Sequence, residues 1–82
     1  MTTVSVIHQA EMHRFLVEIN QQQAILEYRL TGHNVNFHHT FVPPEMRGKG
    51  VAESLVRTGL SWAKQQQLTI EASCSYVQKF LG

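Results

Sequence analysis

Arg47-Gly48-Lys49-Gly50 lies just after two prolines, Pro43 and Pro44, and just before the helical pattern that begins at Val51. Two glycines leave the backbone of such a segment open to close approach, and two cations flank it. A helix N-terminus adds unpaired N–H donors and the positive end of its dipole. That combination suits a phosphate, and a pyrophosphate best. Cys74, the single cysteine, is the second residue with chemistry of its own. It follows a strand-like run near the start of a short helical one, where a thiolate is favoured. There it could act as a nucleophile or hand over a proton; a small buried hydrophobe is the plainer alternative. His39 carries an imidazole, the side chain most often used as a general base. Its alternation with Phe37 and Phe41 equally suits a packed imidazole that hydrogen-bonds a neighbour.

Other phosphate motifs fit less well. A P-loop needs Gly-Lys-Ser/Thr, whereas Gly50 is followed by Val51-Ala52. A dinucleotide fingerprint needs a third glycine and a later acid. The plain alternative is a strand-to-helix turn with Arg47 and Lys49 solvated. No metal is expected. Adjacent His38 and His39 diverge on a regular strand, and His8, His13 and His33 lack ligand spacing. Glu18 and Glu27 could act as a base through water, but exposed strand-face charge explains them as well. Tyr76 could stack on a ligand or donate a proton, or simply cap the core.

The elements that must position these residues can be read from periodicity. Val4–His8 reads as a short first strand. From Met12 to Ile19, residues His13, Phe15, Val17 and Ile19 alternate with Arg14, Leu16 and Glu18. After the polar turn Asn20-Gln21-Gln22, Gln23–Thr31 alternates again, with Ala24, Leu26, Tyr28 and Leu30 on one face. Gly32-His33-Asn34 turns the chain into a fourth strand, Val35–Val42, which places Val35, Phe37, His39 and Phe41 together. The short links favour antiparallel neighbours. The period then becomes helical from Val51 to Lys64, with Ala52, Leu55, Val56, Gly59, Trp62 and Ala63 on one face. Gly59 costs roughly 1 kcal/mol there relative to alanine, which suggests close approach to the sheet. Gln65-Gln66-Gln67 ends the helix, and Leu68–Ala72 reads as a fifth strand parallel to the fourth. Tyr76–Leu81 reads as a short terminal helix.

Bulk properties set outer bounds. A chain of 82 residues holds one small domain, 1–82, and 43% hydrophobic content argues against disorder. A net charge of +1, with no basic stripe or aromatic platform, gives no reason to expect nucleic acid. No apolar run approaches the ~20 residues of a membrane span, and no basic-then-apolar segment opens the sequence. One cysteine excludes an internal disulfide and fits a reducing compartment. A cytoplasmic monomer is the expectation, with a homodimer through an exposed sheet edge as the alternative.

Within the loop, Arg47-x-x-Gly50-x-Ala52 resembles the Q/R-x-x-G-x-G/A element with which GNAT-type N-acetyltransferases grip the pyrophosphate of acetyl-CoA. His39-Thr40-x-Val42-Pro43, then Arg47-Gly48-x-Gly50, then Cys74-Ser75-Tyr76-Val77 is similar to the small single-domain GNAT-like proteins. The resemblance spans about His39 to Tyr76. It implies an α+β fold with a mixed, mainly antiparallel five-stranded sheet, one main helix between strands 4 and 5, and a short C-terminal helix. It implies acetyl-CoA as cosubstrate, bound where the parallel fourth and fifth strands splay. Phe41 and Val42 would offer main-chain groups to the pantetheine arm. Arg47, Gly48, Lys49, Gly50, Val51 and Ala52 would cover the pyrophosphate, and Ser75 and Tyr76 would line the opposite wall near the thioester. Cys74 and His39 are the candidate catalytic residues. The sequence departs from the family pattern at Ala72, where a proline two residues before the cysteine is common. It also lacks the long N-terminal helices that build the acceptor pocket of larger relatives.

Two functions follow from different readings. One is an N-acetyltransferase that moves an acetyl group from acetyl-CoA to an unidentified amine, on a small molecule or a protein. The other is a non-catalytic acyl-CoA-binding or protein-interaction module.

Overall fold

Alternation carries the first half of the chain into a sheet whose strands pair in chain order. The computed structural model describes residues 5–48 and 50–81. Its strands are β1 (Ile7–Gln9), β2 (Arg14–Ile19), β3 (Gln22–Thr31), β4 (Asn34–Phe41) and β5 (Thr69–Ala72), in the order β1-β2-β3-β4-β5. The first three pairings are antiparallel and β4–β5 is parallel. Helix α1 (Val51–Gln65) connects β4 to β5, and α2 (Ser75–Gln78) follows β5. The expected α+β architecture is thus the observed one. None of the described helices is long and apolar enough to cross a membrane.

Two-residue loops join the central strands. Asn20 and Gln21 both adopt positive φ, at 51° and 67°, between the paired Ile19 and Gln22. Positive φ at both positions matches the right-handed twist of a hairpin. Gly32, at φ 58°, opens the loop between the paired Thr31 and Asn34.

One face of the sheet packs on α1. Phe15, Val17, Ala24, Leu26, Val35 and Phe37 meet Val51, Leu55, Val56 and Ala63, all essentially without solvent exposure. Each fully buried aliphatic or aromatic side chain of this kind contributes about 1.5–3 kcal/mol. Gly59 sits where the helix comes closest. A Cβ there would stand 3.0 Å from both Leu26 Cδ2 and Phe37 Cε1. Its lack of a side chain therefore serves the close approach expected from its position.

The structure corrects several expected faces. Residues Ala10–Met12 form a 3-10 turn and His13 lies at φ 54°, so the second strand begins at Arg14 and His13 leaves the Phe15 face. Leu16 falls on the face away from the helix yet is buried, while Leu30 is largely exposed. The larger correction concerns β4. Glu27 pairs with His39 and Tyr28 with Phe37, which leaves His38 as an extra residue opposite β3. Such a bulge reverses the alternation beyond it. His39 and Phe41 therefore leave the Phe37 face and become exposed, and Thr40 takes the inward position. The short terminal helix expected after β5 is present as a single turn, Ser75–Gln78. The proposed first strand began at Val4, which lies outside the described residues.

Candidate functional site

Parallel pairing of β4 with β5 runs from Asn34↔Thr69 to Phe37↔Ala72 and stops. The carbonyl of Phe37 accepts from both Ser73 N–H and Cys74 N–H at 3.1 Å. Asn36 reinforces this junction: its Oδ1 accepts from Ser73 N–H at 3.0 Å, and its Nδ2 donates to Ser73 Oγ at 3.0 Å. Past this clamp β4 continues through the bulge to Phe41 without a β5 partner, and the other chain turns into α2. The gap between strands expected at this end is therefore present.

Cys74 and Thr40 face each other across the gap, with Sγ and Oγ1 3.4 Å apart. Burial alone would push the thiol pKa up. Hydrogen bonds from the Thr40 hydroxyl and from the backbone N–H groups of Val77, Tyr76 and Thr40 outweigh it, so the thiol lies below its ordinary range. Thr40 reaches this position only because the bulge turns it inward. The same bulge sends His39 to the opposite face of the sheet, next to Glu27. His39 is thus separated from Cys74 rather than joined with it.

The loop after β4 is held by its own residues. Pro44–Met46 form a single 3-10 turn, and Met46 is buried beneath it. Arg47 donates from Nε to the carbonyl of Val42 at 3.0 Å, which ties the loop back to the end of the strand. Gly48 and Gly50 have φ of 80° and 75°, a region that glycine enters without steric cost. A Cβ added at either would meet nothing within 4 Å. Open space therefore lies over the backbone that leads into α1. Gly50 is the N-cap of that helix and gives it no side-chain cap, so its first N–H groups look for an outside partner. A groove of about 330 Å³ lies here, lined by Val42, Met46, Arg47, Gly50, Ala52 and Tyr76 among others. Val51 is buried at its base, and Lys49 lies outside the described residues.

These positions sort the expected site residues. Val42, Arg47, Gly48, Gly50, Val51, Ala52 and Tyr76 converge on one groove. Phe41 and Ser75 are exposed and do not line it. Met46, Asn36 and Thr40 carry structural weight that periodicity does not announce. Only Thr40 had a signal, its place in the His39-Thr40-x-Val42-Pro43 run. Among the described residues no three His, Cys, Asp or Glu side chains gather as a metal site would require.

Known proteins resemble this chain in sequence and in fold. The sequence profile described as GCN5-related N-acetyl-transferase matches residues 14–82. Protein NATD1 of Bos taurus is 32% identical over 81 residues, covering 95% of this chain and 72% of that protein. Protein NATD1 of Gallus gallus is 31% identical, covering 95% and 74%. The solution structure of a GCN5-like protein from Staphylococcus aureus superposes with a TM-score of 0.72 at 27% identity, covering 99% of this chain and 80% of that one. Sequence and fold agree, and the chain belongs to the GCN5-related N-acetyltransferase family.

Proposed function

We propose that the protein transfers an acetyl group from acetyl-CoA to an amine, on a small molecule or a protein. The observation that carries this reading is the Arg47–Ala52 loop: two positive-φ glycines, open space above them, and an uncapped helix start beside the strand gap. The N–H groups at the start of α1 and the Arg47 guanidinium would hold the pyrophosphate. Lys49 would add charge. With Nε held by Val42, the Arg47 Nη groups have no partner among the described residues. The backbone of Phe41 and Val42, unpaired with β5, would take the pantetheine amides, and Tyr76 would close the far wall.

The thioester then comes near Thr40 and Cys74. Backbone donors already gathered there favour negative charge, as an acyl-transfer intermediate requires. In direct transfer, the neutral amine forms the new C–N bond, the C–S bond breaks, and the CoA sulfur leaves as a thiolate that takes up a proton. The depressed Cys74 pKa favours a two-step variant. Its thiolate accepts the acetyl group first and passes it to the amine, so the N-acetyl product and free CoA are the same. His39, on the other face, is proposed to reach the acceptor rather than the thiol. A reducing compartment such as the cytoplasm suits a reactive lone thiol.

Calorimetric titration of acetyl-CoA into wild type and Arg47→Ala tests the site. Binding weakened in the variant by about 1–3 kcal/mol is expected for one charge-assisted phosphate contact. No binding by the wild type overturns the reading. Mass spectrometry after incubation with acetyl-CoA tests the two-step variant, which requires an acetyl adduct on Cys74. Binding with no turnover across a broad amine panel would favour the non-catalytic module.

A further inference from the structure

Residues 72–74 leave the sheet under separate holds from three side chains and carbonyls. Gln78 Nε2 donates to the carbonyl of Ala72 at 2.8 Å. The carbonyl of Phe37 accepts from both Ser73 N–H and Cys74 N–H. Asn36, the neighbour of Phe37 on β4, grips Ser73 with its whole amide. Its Oδ1 accepts from Ser73 N–H at 3.0 Å and from the Ser73 hydroxyl at 3.2 Å, and its Nδ2 donates to Ser73 Oγ at 3.0 Å. A regular parallel ladder spaces its bonds evenly, one N–H to one carbonyl. Here one N–H is shared between two acceptors and one carbonyl between two donors. The last residue pair of the ladder, Phe37↔Ala72, lies at the same point. The overlapping bonds mark where the chain turns away from β4.

We propose that Asn36 is a positioning residue for acetyl transfer: by gripping Ser73 it fixes where the gap between β4 and β5 opens and holds the Cys74 sulfur against Thr40. The proposal rests on the two-step variant of the acetyl-CoA reading. In its first step the Cys74 thiolate forms a C–S bond to the acetyl carbon and the C–S bond to CoA breaks. The CoA sulfur leaves as a thiolate and takes up the proton that Cys74 gave up. Asn36 pairs with Glu71, on the closed side of the junction, so it acts through Ser73 and not on the substrate. Cys74 is the next residue, at the N-cap of α2. The Tyr76 and Val77 N–H groups reach its sulfur from the turn that follows, which requires residue 74 to keep its place at the head of that turn. The Phe37 carbonyl is divided between two donors, and Asn36 supplies the second acceptor for one of them. The Asn36–Ser73 bonds are exposed to solvent, so water can replace them and their loss is expected to leave the fold intact. A small displacement of a reacting group, by contrast, is costly to the rate.

The test uses wild type, Asn36→Ala, Asn36→Asp and Ser73→Ala. Iodoacetamide alkylation of Cys74 is followed against pH, and acetylation of Cys74 by acetyl-CoA is followed by mass spectrometry at neutral pH. Asn36→Ala should reach half-maximal alkylation at higher pH than the wild type and acquire the acetyl group about tenfold more slowly. Asn36→Asp keeps an acceptor for the Ser73 N–H and should lie nearer the wild type, at an ionic strength that screens the added charge. Ser73→Ala loses only the hydroxyl bonds and should fall between wild type and Asn36→Ala, which keeps the test decisive if Asn36→Ala does not fold. Wild-type behaviour of Asn36→Ala, or of Ser73→Ala where Asn36→Ala does not fold, overturns this proposal alone. So does an Asn36→Asp protein as impaired as Asn36→Ala. Absence of an acetyl adduct on wild-type Cys74 overturns the two-step reading and this proposal with it.

Discussion

Thr40 and Cys74 meet with Oγ1 and Sγ 3.4 Å apart, beyond the point where β4 and β5 stop pairing with each other. The contact exists because His38 bulges out of register with β3 and turns the next residue inward. The hydroxyl is one of several donors that outweigh the effect of burial on the thiol. Thr40→Val keeps the shape and removes that donor. The Cys74 pKa should rise, so iodoacetamide alkylation followed against pH should reach half-maximal rate at higher pH than in the wild type. An unchanged profile would show that the backbone N–H groups alone set the thiol's acidity.

Gly59→Ala tests the packing of α1 on the sheet. Alanine gains up to about 1 kcal/mol of helix propensity. Its Cβ would press at 3.0 Å on Leu26 and Phe37, both fully buried, which leaves them little room to shift. Overpacking of this kind costs typically 1–3 kcal/mol. Urea unfolding should therefore give a net loss on the order of 1 kcal/mol. A gain would mean that helix and sheet are less tightly apposed than described.

Long-period patterns were legible in the sequence, and single-residue departures from them were not. The helical face of α1, with Leu55, Val56, Gly59 and Ala63 inward, follows directly from its spacing. Alternation likewise placed Phe15, Val17, Ala24, Leu26, Val35 and Phe37 correctly. It failed at His39 and Phe41, since a bulge shifts the face by inserting one residue and two adjacent histidines carry no mark of it. At His13 it failed because the chain turns through a left-handed residue before β2 begins. The loop was legible because glycine spacing and helix onset are local features. The approach of Thr40 to Cys74 joins residues 34 apart in sequence, and only pairing register can bring them together.

Gln67 ends α1 at a cost that glycine would not incur. It sits at φ 59°, donates to the carbonyl of Lys64 at 3.1 Å, and Leu68 donates to Ala63 at 3.0 Å. These two bonds form a Schellman cap, whose left-handed position favours glycine. Gln67→Gly should raise stability by about 0.5–1 kcal/mol, read as a higher urea midpoint with an unchanged slope. A lower midpoint would mean that the glutamine side chain contributes a stabilising contact of its own.

His8 should make stability depend on pH. Its Nε2 lies 2.7 Å from the Tyr28 hydroxyl, and its ring stacks on Phe15 at 4.2 Å with Trp62 edge-on at 4.8 Å. Desolvation in this aromatic setting lowers its pKa from the model-peptide value of 6.5. The unfolded chain, with His8 near its ordinary pKa, then binds the proton more readily than the folded one. Stability from this group is thus complete above pH 6.5. It declines as pH falls toward the depressed folded value and levels off below that. His8→Gln keeps a hydrogen-bonding side chain beside Tyr28 but does not titrate. Urea midpoints measured across this range should slope downward toward acid in the wild type, and the His8→Gln curve should be flatter by the His8 contribution. Parallel curves would place the source of any acid sensitivity at other groups.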